Sequence, residues 1–115
     1  MKEVKEISSH IADDGYVILV VHEQRGRITE HGEIAILPQD MPKLAGAVDA
    51  WLRDETQGEV ALSDATLLVW TPGPDWAPVL ALTITRETAG PYARKTIDVP
   101  VAEAPRLADV IKAAC

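Results

Sequence analysis

His22 and His31 are the residues of this sequence whose types would matter most if they met, because two imidazoles are half of a transition-metal site. A catalytic zinc takes three protein ligands and a structural one four, and no third donor is spaced to join this pair. Ser8, Ser9, Ser63 and Cys115 lack the neighbouring base or the sharp turn that activates a nucleophile. The chain has no glycine-rich phosphate loop and no pair of carboxylates spaced along one helix face. No enzyme is expected from these residues, and no catalytic residue, metal or cofactor. The chemistry left is charge and stacking. Arg25, Arg27, Arg86, Arg94 and Lys95 are candidates for contacts to phosphate, with Tyr16, Tyr92 and Trp70 as rings on which bases could stack.

These candidates depend on hairpins. Residues 3–11 alternate loosely and end at Asp13-Asp14-Gly15, a hairpin-closing turn; Tyr16 to Gln24 is apolar and β-branched and stops at Arg25-Gly26-Arg27. A two-residue turn at Gly26-Arg27 pairs Leu19 with Ile34, Val17 with Ile36, His22 with His31 and Glu23 with Glu30, which gathers the apolar pairs on one face. A second turn at Ala89-Gly90 pairs Leu82 with Ile97, Leu80 with Val99 and Thr85 with Arg94 by the same rule. Arg25 and Arg27 then flank the tip of the first hairpin, and the other three basic candidates lie on the arms of the second.

Each hairpin runs into a helix, and the two runs are copies. Ile34 to Leu52 recurs as Ile97 to Cys115 at an offset of 63 residues, with Ile34 on Ile97, Ile36 on Val99, Asp40 on Glu103, Pro42 on Pro105, Leu44 on Leu107, Ala45 on Ala108 and Val48 on Ile111. Helical spacing puts Met41, Leu44, Ala45, Val48, Trp51 and Leu52 on a buried face, opposite Asp40, Lys43, Arg53 and Asp54. The second copy matches it with Ala104, Leu107, Ala108, Ile111, Ala114 and Cys115, so the lone cysteine is expected to be a small buried hydrophobe. Asp40 and Glu103 stand where the helices begin, each with a proline two residues on and a carboxylate facing the positive end of the dipole.

The fold class expected is α+β: two tandem strand-strand-strand-helix repeats forming an intramolecular pseudo-dimer, mostly antiparallel sheet with two helices. One domain spans 1–115, with repeat one at 1–53, a linker at 54–65 and repeat two at 66–115. The linker is polar and is expected to carry a short turn around Val60 and Leu62. The loop from Thr71 to Pro78 is proline-rich, and its Trp76 is expected to cap the end of the core; exposed, it would be a contact residue.

With 115 residues, 47% of them hydrophobic and 25% charged, the chain is long enough to bury a core. A single cysteine excludes an intramolecular disulfide, MKEVKEISSH holds no apolar leader, and Val17 to Val21 is too short an apolar run to cross a bilayer. A cytoplasmic location without membrane contact is expected. The net charge of −7 repels a polyanion on average and attracts a basic partner.

Glu23-Gln24-Arg25-Gly26-Arg27 followed by Gly32-Glu33-Ile34-Ala35-Ile36-Leu37-Pro38-Gln39-Asp40-Met41-Pro42-Lys43-Leu44 resembles the positive-cofactor type of transcriptional coactivator. In that family a hairpin with a basic, glycine-containing turn leads into a strand and a helix that opens with an acidic residue. The resemblance covers residues 16–52 and, more faintly, 79–115. It implies the curved-sheet fold shared with the Whirly and Pur-alpha groups, paired units, and binding of single-stranded nucleic acid. It departs from the family at Glu23, Glu30 and Glu33, which replace basic strand faces.

Two functions follow as expectations. One is a non-enzymatic single-stranded nucleic-acid-binding protein, a transcription or replication accessory factor using Arg25, Arg27, Arg86, Arg94 and Lys95. The other is an acidic protein-interaction module or phage-type inhibitor, whose Glu3, Glu6, Asp13, Asp14, Asp49, Asp54 and Glu55 occupy the basic nucleic-acid groove of a partner. The partners expected are thus single-stranded nucleic acid or a basic protein, with a second copy of the chain as a further candidate.

Overall fold

Gly26, with φ of 60°, closes the first hairpin, because the left-handed backbone of a tight two-residue turn costs glycine nothing. The computed structural model describes residues 2–73, 75–87, 90 and 93–115. Strands β1 (Lys2–Ile11), β2 (Val17–Arg25) and β3 (Ile28–Ile36) form an antiparallel sheet in that order. The β2–β3 register pairs Val17 with Ile36, Leu19 with Ile34 and His22 with His31, as the alternation predicts. A turn of 3-10 helix (Pro38–Asp40) then leads into α1 (Met41–Asp54).

The second half repeats this order behind one added strand. β4 (Gly58–Ala61), β5 (Thr66–Trp70), β6 (Val79–Thr85) and β7 (Arg94–Pro100) form a second antiparallel sheet in sequence order. A 3-10 turn (Val101–Glu103) and α2 (Ala104–Ala113) follow. The polar stretch between the repeats therefore holds a strand at Gly58–Ala61 where a turn was expected, with Val60 paired to Leu67. Leu80 pairs with Val99, Leu82 with Ile97 and Thr85 with Arg94; the turn expected at Ala89-Gly90 falls partly outside the described residues. Both 3-10 turns and both helices begin 63 residues apart (Pro38 and Val101, Met41 and Ala104).

The units are interlocked: α1 lies against β5 and α2 against β1, so each helix covers the other unit's sheet, and the helices pack on each other. One core results, built from alternate residues of both sheets and one face of each helix, with Leu19, Ile34, Met41, Leu44, Leu82, Ile97, Leu107 and Ile111 fully buried. A small unit cannot bury an amphipathic helix against three strands alone, and exchanging helices removes both apolar faces from water.

Three expectations about the helix faces are corrected. Leu52 and Cys115 are exposed: Leu52 lies in the last turn of α1, one position round the helix from the buried Trp51, and Cys115 stands past the end of α2. Asp40, placed on the polar side by spacing, is 1% exposed. Its carboxylate does not cap α1; it accepts hydrogen bonds from Ser63 N (3.0 Å) and Ser63 Oγ (2.8 Å) and so ties the helix start to the loop after β4. Its counterpart Glu103 is partly exposed and pairs with Arg106 at 3.3 Å.

Candidate binding surface at the hairpin ends

β3 and β7 are the facing edges of the two sheets and run past each other in opposite directions. A Cβ at Gly32 would stand 3.4 Å from Ile97 Cγ2 and 3.5 Å from the Thr96 carbonyl. Farther along β3, the Ala35 carbonyl accepts from Arg86 Nη2 at 2.7 Å, and Arg86 in turn donates its backbone N–H to Ala93. The tip of the first hairpin therefore projects beyond the Pro100 end of β7.

This crossing removes Arg86 from the expected ligand set. Arg86 is buried; its Nε donates to Asp64 Oδ2 at 3.0 Å, and its guanidinium carbon lies 4.9 Å from the centre of the Tyr16 ring. Tyr16 O–H donates to the same Asp64 oxygen at 2.5 Å. Tyr16 thus belongs to this join between units and does not offer a free face for base stacking. Tyr92, the second candidate ring, lies outside the described residues. Trp70 is half-buried on the face of the second sheet away from the helices, its Nε1 donating to Thr83 Oγ1 at 3.1 Å, while Thr83 also meets Thr96 at 2.9 Å. Since Trp70 pairs with Ala81, that bond takes the indole diagonally along β6, where Ala81 and Thr83 are 1% and 2% exposed.

The other four basic candidates are exposed: Arg25 and Arg27 at the first hairpin tip, Arg94 and Lys95 at the start of β7. Among the described residues their side chains make no ion pair and no hydrogen bond, whereas Lys5, Lys43, Arg53, Arg86, Arg106 and Lys112 are engaged. Lys5 pairs with Glu3, Arg53 with Asp54, Arg106 with Glu103 and Lys112 with Asp49, and Lys43 donates to the Ala61 carbonyl. The four do not form one patch. Ile28, opposite Arg25, is separated from Ala35, beside the Arg86–Ala93 pair, by roughly 20–25 Å of strand at about 3.4 Å per residue.

Between these basic ends lies a cleft of about 160 Å³, lined by Glu23, Glu30, His31 and Gly32 from the first sheet and Thr96 and Asp98 from β7. Glu23 and Arg86 hold the same place in the two repeats (86 − 23 = 63) and both are buried, so the pseudo-symmetric junctions carry opposite charge. His22 and His31 meet across β2 and β3 with ring centres 5.7 Å apart, and among the described residues no group of three or more histidine, cysteine or acidic side chains is placed to hold a metal. Sequence reasoning missed Asp64, which it left in the linker; its one signal was a lone acid beside a serine that also serves as a tether.

The acidic residues named for a basic partner are mostly exposed: Glu3, Glu6, Asp13, Asp14, Asp54 and Glu55 face solvent, and Asp49 is half-buried against Lys112. Among the described residues no helix is long and apolar enough to cross a membrane. No protein-family model matches this chain, and no curated protein matches it either.

Proposed function

We propose that this is a small non-enzymatic binding protein that takes single-stranded nucleic acid at its hairpin ends, in the manner of a transcription or replication accessory factor. The observation that carries this reading is that, among the described residues, Arg25, Arg27, Arg94 and Lys95 at the hairpin ends make no ion pair or hydrogen bond, while Lys5, Lys43, Arg53, Arg86, Arg106 and Lys112 are neutralised or hydrogen-bonded on the body. Free cationic side chains gain affinity for a polyanion by neutralising its phosphates and releasing the condensed counterions into solution, and cations already paired contribute little. The resemblance of residues 16–52 to the positive-cofactor type supports the same reading.

A second reading, the acidic interaction module that occupies a partner's basic groove, is favoured by the net charge of −7 and by the acid-lined cleft of Glu23, Glu30 and Asp98. Fluorescence anisotropy with a labelled single-stranded oligonucleotide separates the two. The first reading expects binding that weakens steeply with salt, and weaker binding with a shallower salt slope for Arg25→Ala with Arg27→Ala and for Arg94→Ala with Lys95→Ala. Asp54→Ala leaves affinity unchanged or slightly raised. Absence of binding at low ionic strength discards the first reading, and capture of a basic protein that is lost when the exposed acids are neutralised supports the second.

A further inference from the structure

The β5–β6 connection holds the most exposed large hydrophobic side chain among the described residues, Trp76, at 86% exposure, so the tryptophan does not cap the core. Its loop is anchored at both ends. Thr71 accepts from Trp51 Nε1 at 3.0 Å and gives its own N–H to Gln57, while the Pro78 carbonyl accepts from Val101 N at 3.2 Å. Between these anchors Gly73, with φ of 97°, adopts the left-handed backbone that glycine takes without strain.

The loop lies at the Pro100 end of the second sheet, because Val79, the first residue of β6, pairs with Pro100. The opposed run of β3 and β7 brings the first hairpin tip to that same end: Glu30 shares the cleft with Asp98, and Ile28 lies two residues farther out. Trp76, Ile28 at 59% exposure, and the uncommitted Arg25 and Arg27 therefore occupy one end of the molecule, with Asp75 as the acid in the loop itself.

Resting on the nucleic-acid reading above, we infer that this end is the recognition site: an unpaired base stacks on Trp76 while Arg25 and Arg27 hold the flanking phosphates. The chemistry fits an unpaired base in particular. An indole in water gains by covering a π-face, stacking is indifferent to base identity, and two arginines on a neighbouring tip match the charge of the backbone that carries the base. The opposite end has Arg94 and Lys95 and, among the described residues, no comparably exposed ring.

Trp76→Ala and Trp76→Phe are compared with the unaltered protein for binding to a labelled oligothymidine and to an abasic phosphodiester of equal length. The site requires Trp76→Ala to weaken oligothymidine binding about ten- to a hundredfold, with Trp76→Phe recovering part of the loss. Abasic binding and the salt slope stay unchanged, and so does the melting curve, since the side chain packs on nothing in the core. Full oligothymidine affinity in Trp76→Ala overturns this site and leaves the general reading standing. Failure of the unaltered protein to bind either oligomer at low salt overturns both. Tighter Trp76-dependent binding to phosphatidylglycerol vesicles than to oligothymidine overturns the site in favour of a lipid surface.

Discussion

Arg86 Nε and Asp64 Oδ2 meet at 3.0 Å at the join between the two units, beneath the ring of Tyr16. The same guanidinium also reaches the Ala35 carbonyl, so one side chain connects the second hairpin, the loop before β5 and the edge of the first sheet. Arg86→Ala strands a partly buried carboxylate and a backbone carbonyl, and should lower stability in urea melts by about 2–4 kcal/mol. An oligonucleotide affinity unchanged apart from this loss would confirm that Arg86 is structural; a fall in affinity at full stability would return it to the binding surface.

The same triad gives stability a pH dependence at both extremes. Burial, the largest influence on Asp64, pushes its carboxyl up, but the hydrogen bonds from Arg86 and Tyr16 and the charge of the guanidinium outweigh it and hold the group below its ordinary 3.8. A carboxyl depressed on folding adds stability that is present above its unfolded value and lost as pH falls through the folded one. Tyr16 is raised above its ordinary 10.0, chiefly because its hydroxyl donates to Asp64 and secondly by burial. Its contribution is complete below that value and disappears as pH rises through the higher folded one. Melts in urea across the pH range should show Tyr16→Phe losing the alkaline decline while keeping the acid one.

Asp40 and Glu103 stand at equivalent places but should respond differently. Asp40→Ala leaves the Ser63 amide and hydroxyl without their acceptor in a partly buried contact, a cost of about 1–2 kcal/mol. Glu103→Ala removes a solvent-exposed ion pair with Arg106 and should cost well under about 1 kcal/mol. Equal losses in chemical denaturation would mean that both carboxylates act through the helix dipole instead.

Leu44 and Leu107 are fully buried at matching positions of α1 and α2. Replacement of either by alanine should cost about 2–5 kcal/mol. Lys43→Ala, which gives up one exposed hydrogen bond to the Ala61 carbonyl, should change stability little. Because the helices cover each other's sheets, either leucine variant should unfold both halves in a single transition, measurable as coincident loss of helix and sheet signals.

Gly32 sits where β3 passes β7. Alanine there meets Ile97 at ordinary contact distance and should be tolerated, whereas Gly32→Val adds methyl groups toward the Thr96 carbonyl and should destabilise by about 1–3 kcal/mol. Equal melting temperatures for the two variants would show that the edges can separate freely.

Local and periodic features were legible in the sequence. The turn glycine at Gly26 determined the β2–β3 register, the offset of 63 determined that two units share one plan, and helical spacing found Met41, Leu44, Val48 and Trp51 in α1 and Leu107 and Ile111 in α2. These depend on residues a few positions apart, where backbone geometry relates spacing directly to side-chain direction. What only the tertiary structure decided is how the units face each other. Asp40, Asp64 and Arg86 are polar in the sequence and read as solvated. They are partly or wholly buried because the helices are exchanged and β3 crosses β7, which brings partners from 22 to 51 residues away. The same crossing divides the basic candidates, putting Arg25 and Arg27 at one end with Trp76 and leaving Arg94 and Lys95 at the other. Spacing along a chain carries no record of a contact between two units, because the geometry of that contact is set by how their apolar faces pack.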